Sequence, residues 1–249
     1  MESNLTALVT GSSRGIGREI AYRLAKSGYT IIVHGSKASP ELNSSFAQIK
    51  SISPKSRLVV ADLGNAKAIA ELFTKITTLN VLVNNAATQN YSPFIDLKES
   101  DLNRIFDVNL KAPFICAQRA ARLMKKNKNG GKIINISSVH ARDPKRNFAH
   151  YSTAKGGLET LTRAMALELA AYNIQVNSIM AGAIATEMTS AERQAILLPS
   201  IPANRIGEPR EIAQLVLFLC SQKCNYLTGA SITVDGGLTL GFCASRPDL

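Results

Sequence analysis

The sequence predicts an α/β fold: a single domain over residues 1–249, built on a doubly wound parallel sheet of about seven strands with helices on both faces. Three observations predict it. Short runs rich in Val, Ile and Leu alternate with stretches of helical periodicity, the pattern of βαβ units. Those runs are apolar throughout rather than alternating, which suits strands covered on both sides. A glycine-rich turn, Thr10-Gly-Ser-Ser-Arg-Gly-Ile-Gly17, directly follows the first of them. With 45% hydrophobic and 19% charged residues, a chain of 249 can bury one full core.

The strands are expected at residues 6–10, 30–34, 57–61, 81–84, 132–136, 174–180 and 231–234. Right-handed crossovers between them give the doubly wound order and collect functional groups at the carboxyl ends, where Gly11, Asp62, Asn84, Ser138 and Ala181-Gly182 fall. Ile16, Ile20 and Leu24 mark a helix opening at the glycine turn. Pro113 lacks the N–H that would bond back to residue 109, so it should expose the Asn109 carbonyl and kink its helix. A helix from Tyr151 to about residue 171 carries Leu158, Leu161, Met165 and Leu169 as a sheet-facing stripe, with Gly156 and Gly157 permitting close approach.

Tyr151-Ser-Thr-Ala-Lys155 is the main chemical signal. Residues four apart share a helix face, which sets the Lys155 ammonium beside the Tyr151 phenol. The charge favours phenolate and should lower a pKa that starts near ~10, so that Tyr151 can give and take a proton near neutrality. Ser138, from another element, is placed to hold a substrate oxygen. In the glycine turn, Gly11, Gly15 and Gly17 let the backbone approach a pyrophosphate at a helix N-terminus, the Rossmann-type arrangement. Sites for NAD place Asp or Glu at the end of the second strand, whereas here the chain reads His34-Gly35-Ser36-Lys37 with no acid until Glu41. That favours NADP(H), with NAD(H) as the alternative. Arg14 and Lys37 would supply charge for a 2′-phosphate and Ser36 a hydrogen bond.

In order along the chain, Thr10 to Gly17, Asp62-Leu63, Asn84-Asn85-Ala86, Asn109, Ser138, the Tyr151/Lys155 pair, Asn177 to Thr186 and Asp235-Gly236-Gly237 resemble the short-chain dehydrogenase/reductase family, from Leu5 to about Leu240. The resemblance implies a catalytic set of Asn109, Ser138, Tyr151 and Lys155. Ser138 and Tyr151 would donate to a carbonyl oxygen, Tyr151 would supply the proton, and Lys155 would tune Tyr151 and bind the nicotinamide ribose. The Asn109 carbonyl would hold a water linking Lys155 to solvent. It also implies a cofactor site of Gly11, Ser13, Arg14, Gly15, Ile16 and Gly17 at the pyrophosphate, with Ser36 and Lys37 at the adenosine phosphate. Asp62 and Leu63 would lie near the adenine, Asn84, Asn85 and Ala86 beside the adenosine ribose with Ala87 also in the cofactor set, and Ala181, Gly182, Ile184 and Thr186 at the nicotinamide, together with Tyr151 and Lys155. A helix cap is the other reading of Asp62, and of Thr186. Two positions depart from the family: Ala87 replaces a glycine, and Ala181 replaces a proline and should loosen a turn. Both bear on affinity more than on mechanism. The family's interface helices imply a homotetramer, with a dimer as the alternative.

The expected activity is NADP(H)-dependent interconversion of a ketone or aldehyde and an alcohol. A non-catalytic dinucleotide-binding regulator is the class alternative, and the intact catalytic set argues against it. Ser137 to His140 and His150 to Gly157 are similar to glucose 1-dehydrogenase and sugar-acid dehydrogenases, while much of the rest is similar to 3-oxoacyl-acyl-carrier-protein reductase. Arg142, Lys145 and Arg146, between Ser138 and Tyr151, favour an anionic or strongly polar substrate, and Ser138, His140, Arg142, Arg146 and His150 form the candidate substrate set. By the resemblance, Asn129 and Tyr172 occupy the places of carrier-binding arginines, with Lys128 adjacent. The reading therefore leans to a small polyhydroxylated or carboxylated substrate.

The net charge of +11, from 29 basic and 18 acidic residues, does not imply nucleic acid, because the densest run, Lys125-Lys-Asn-Lys128, has no interleaved aromatics. Cys116, Cys220, Cys224 and Cys243 are too sparse for a disulfide framework and lack partners for a metal site, so no metal is expected. No leader pattern and no apolar stretch near about 18 residues is present, so a cytoplasmic protein without a membrane partner is expected.

Overall fold

Seven strands pair into one sheet in the computed structural model, which describes residues 5–127, 130–187, 191–221 and 224–240. They are β1 (Thr6–Val9), β2 (Thr30–Gly35), β3 (Arg57–Val60), β4 (Val81–Asn84), β5 (Gly131–Ser138), β6 (Ile174–Ala181) and β7 (Ser231–Val234). All pair in parallel, in the order β3-β2-β1-β4-β5-β6-β7. The winding reverses between β1 and β4, and a crevice opens there at the carboxyl ends, as in doubly wound sheets generally.

The helices are α1 (Gly15–Lys26), α2 (Pro40–Ile52), α3 (Ala66–Thr74), α4 (Glu99–Phe106), α5 (Ala112–Asn127), α6 (Ala149–Leu169), α7 (Ala191–Leu197) and α8 (Pro209–Cys220). Alternate strand residues feed two cores. Ala7 and Val9 of β1 pack with Ile20 and Leu24 of α1 and Ile212 and Val216 of α8. Leu8, between them, points the other way and joins Ile69 of α3 and Cys116 and Met124 of α5. Leu8, Ile32 and Leu82 are fully buried, worth roughly 1.5–3 kcal/mol each. A sheet covered on both faces explains why its strands read as unbroken apolar runs.

Several expectations are corrected here. β5 and β6 run further than the apolar runs do, to Ser138 and Ala181, because these two residues pair with each other in register. Ala181 also pairs with Val234, so it extends a strand rather than loosening a turn. On α6, Leu158 is buried and Met165 and Leu169 pack half-buried against the second core, as the stripe predicts, whereas Leu161 is only partly covered and the buried face also includes His150, Ser152, Ala154, Lys155, Glu159, Thr162 and Ala166. Pro113 is accompanied by a π-helical turn over Asp107–Lys111 between α4 and α5, the irregularity that a missing N–H permits. Gly157 lets this turn approach α6, since a Cβ there would lie 3.0 Å from a Leu110 methyl. Asn65, not Asp62, caps α3, its Oδ1 accepting from the N–H groups of Lys67 and Ala68. Cys243, Lys128 and Asn129 lie outside the described residues, and Cys116, Cys220 and Cys224 are buried free thiols.

Candidate active site

Thr10, at the end of β1, organises the cofactor half of the crevice. Its Oγ1 donates to the Val83 carbonyl and accepts from the N–H groups of Asn85 and Ala86, while the Asn85 amide donates to the carbonyls of Thr10 and Gly11. The loop after β4 is thereby clamped to the glycine turn. Gly11 stands at φ +64 with a notional Cβ only 2.9 Å from the Ala86 backbone, so no side chain is accommodated there. A Cβ at Gly17 would run into the Gly11 carbonyl and the Asn85 amide.

α1 begins uncapped. Arg14 precedes it in extended conformation, no side chain caps the first N–H groups, and its first turn holds no acid. Orphan N–H groups at the start of a 12-residue helix facing an open crevice suit a pyrophosphate. Gly11, Ser13, Arg14, Gly15, Ile16, Gly17, Ser36, Asp62, Leu63, Asn85, Ala86, Ala87, Ala181, Gly182, Ile184 and Thr186 all line one cavity of about 850 Å³. Lys37 is exposed beside it and is not in its wall. Asp62 accepts from the Gly64 N–H and pairs with Arg104 at 3.0 Å, and the Arg104 bond is the main reason its carboxyl is held below the ordinary value.

The other half of the same cavity holds the candidate catalytic residues. β5 delivers Ser138, whose Oγ accepts from the His140 N–H at 3.2 Å, and α6 delivers Tyr151 and Lys155. Lys155 is 2% exposed, donates to the Ile136 carbonyl at 2.9 Å, and sits 5.7 Å from the Tyr151 ring centre. Burial lowers its pKa to about 8, against an opposing push from the Glu159 charge. Burial raises Tyr151 to about 12, with the Ser138 hydroxyl opposing. This corrects the expectation of a lowered phenol: desolvation of the Tyr151 side chain outweighs an ammonium that is directed at the Ile136 carbonyl.

Asn109 is fully buried and off the cavity wall. Its amide makes a two-bond clamp, accepting from the Thr88 N–H at 2.9 Å and donating to the Thr88 carbonyl at 2.8 Å. Tyr91, Phe148 and Tyr151 form a three-ring stack with centroid spacings of 4.8 and 4.4 Å. The Lys145 ammonium lies 4.7 and 4.4 Å from the Tyr91 and Phe148 ring centres and donates to the Tyr91 hydroxyl at 2.9 Å. His140, Lys145 and Arg146 line the cavity, whereas Arg142 is exposed away from it. His150 is buried against Asn90 and Phe148 and does not reach the cavity either.

A family model described as Enoyl-(Acyl carrier protein) reductase matches residues 11–239. The chain is 40% identical to the Uncharacterized oxidoreductase YohF of Escherichia coli (97% of this chain, 98% of the other). It is 38% identical to the 3-oxoacyl-[acyl-carrier-protein] reductase FabG of Staphylococcus aureus (96% and 99%). The crystal structure of acetoin dehydrogenase YohF from Salmonella typhimurium superposes with a TM-score of 0.87 at 38% identity, covering 96% of this chain and 98% of the other. The chain belongs to the short-chain dehydrogenase/reductase family. It is therefore an oxidoreductase of alcohol and carbonyl groups in a family that uses NAD(P)(H).

Against the short-chain dehydrogenase/reductase pattern, Ala87 lines the cavity without a positive φ, so its Cβ causes no strain. Two residues, His34 and Phe148, hold places at the site to which the sequence assigned no role. His34 is buried at the end of β2 and receives the Gly11 N–H. Phe148 carries the ring stack beneath Tyr151. The only local signal for either was its nearness to a recognised motif. Among the described residues no cluster of three or more His, Cys, Asp or Glu could hold a metal, and no helix is long and apolar enough to cross a membrane.

Proposed function

We propose that the chain is an NADP(H)-dependent dehydrogenase/reductase of small polar ketones and alcohols. The observation that carries the reading is that Ser138, Tyr151 and Lys155 converge on the same cavity as the uncapped start of α1. Ser138 and Tyr151 donate to the carbonyl oxygen and Tyr151 transfers the proton, while Lys155 holds positive charge beside it. NADP(H), held at the start of α1 and along the cavity, would supply or accept the hydride. Asn109 acts through its clamp on Thr88, keeping the loop after β4 at the edge of the cofactor half.

The cofactor preference rests on Arg14 and Ser36 at the cavity and on the missing acid at the end of β2. Glu41, the first acid beyond it, is held below its ordinary pKa by the Ser39 hydroxyl foremost and by the charges of Arg14 and Lys37. Lys145 and Arg146 in the wall support a polyhydroxylated or carboxylated substrate. The similarity to the acetoin dehydrogenase YohF of Salmonella typhimurium, named for a small hydroxyketone, supports the small, polar part of the reading. The second reading, reduction of a carrier-bound 3-oxoacyl group, is favoured by the 38% identity to FabG. The homotetramer and a cytoplasmic location complete the proposal. The deciding measurement is kcat/KM with NADPH and with NADH across acetoin, keto acids, sugars and an acetoacetyl thioester. A thioester reduced far faster than the rest replaces the first reading with the second.

A further inference from the structure

Tyr151, Lys155 and Glu159 stand on successive turns of α6, so their side chains share the face packed on β5 and β6. Glu159 is 4% exposed. A carboxylate buried that deeply is costly unless it is hydrogen-bonded and has a counter-charge. One of its oxygens accepts a short hydrogen bond from the Ser178 hydroxyl of β6. The other, Oε2, is buried without a hydrogen-bond partner among the described residues. The carboxylate is thus held in place and yet incompletely satisfied, one turn from an equally buried ammonium.

We propose that Glu159 is a positioning residue that works through Lys155: its carboxylate, pinned by Ser178, is the counter-charge that keeps the buried Lys155 ammonium formed. The inference rests on the role given to Lys155 above. The hydrogen-bond partner of Lys155 is the neutral Ile136 carbonyl of β5, the Ser178 hydroxyl of β6 is given to Glu159, and on α6 itself the Tyr151 ring lies 5.7 Å away. On the neighbouring α4 and π-turn, Arg104 pairs with Asp62 and Lys111 with Asp107, while the acids of the first turn of α4 are the exposed Glu99 and the half-buried Asp101. Burial pulls the Lys155 pKa down to about 8, and the Glu159 charge resists that pull.

Removing the charge should therefore let Lys155 lose its proton at lower pH. Glu159→Gln retains an amide oxygen able to accept from Ser178, and its carbonyl-reduction kcat/KM should lose its alkaline limb about one pH unit earlier than the parent. Near pH 6.5, where Lys155 stays charged in both proteins, the two should agree within about threefold. Glu159→Asp keeps the charge and should keep the parental limb. Superimposable profiles for parent and glutamine variant overturn the proposal. So does a uniform loss at every pH with a lowered melting temperature, the mark of a packing role, or an aspartate variant shifted as far as the glutamine one. Tyr151→Phe is the separate control: activity surviving there overturns the catalytic reading itself, whatever Glu159 does.

Discussion

The Gly11 N–H donates to Nδ1 of His34 at 3.0 Å, so the glycine turn is held by a ring on the neighbouring strand. Since Nδ1 accepts, Nε2 carries the proton and donates to the Ala61 carbonyl at 3.0 Å. One neutral imidazole therefore ties β2 both to the turn after β1 and to the segment after β3.

Burial lowers the His34 pKa from 6.5 to about 4. The unfolded chain takes up this proton first, so stability present above pH 6.5 falls as pH drops through the window down to about 4, by at most about 3 kcal/mol. Thermal melts from pH 7.5 to 4.5 should show this loss, and His34→Gln should flatten it. An equally steep pH dependence in that variant would place the titrating group elsewhere.

Tyr151→Phe is expected to reduce kcat by about 10²–10⁴-fold while NADPH binding stays within about threefold, because it deletes the transferable proton and little of the dinucleotide surface. Lys155→Ala should lose both, and cofactor fluorescence titration separates the two outcomes.

Gly17→Ala should weaken NADPH binding and destabilise the fold by about 1–3 kcal/mol, since the added methyl meets the Gly11 carbonyl and the Asn85 amide rather than a flexible side chain. Dinucleotide titration and denaturant unfolding read the two effects. An unchanged affinity would mean that the turn can open without disturbing the site.

NADPH should be preferred over NADH, and Ser36→Asp should move the ratio of kcat/KM values toward NADH by setting a carboxylate against the 2′-phosphate. Equal efficiency with both cofactors in the parent contradicts the assignment of Arg14 and Ser36.

Arg146→Ala should raise KM for a carboxylated substrate, whereas Arg142→Ala should not, because only the first lies in the cavity wall. Comparing each variant on a keto acid and on acetoin isolates the charge effect. Identical behaviour of the two variants would reduce the basic loop to surface charge.

The sequence by itself determined the seven strands, the glycine turn and the Tyr151/Lys155 pair, because each is a local pattern: an apolar run, a backbone without Cβ atoms, a four-residue helical spacing. Which partners those residues meet was decided only by the tertiary structure. Asn109 clamps Thr88, His34 holds Gly11, and β5 reaches Ser138 because β6 reaches Ala181 beside it. The phenol moves opposite to the expectation for a similar reason. Helical spacing reports that Lys155 is near, but desolvation of Tyr151 is summed over every atom that excludes water from it, and those atoms come from distant parts of the chain.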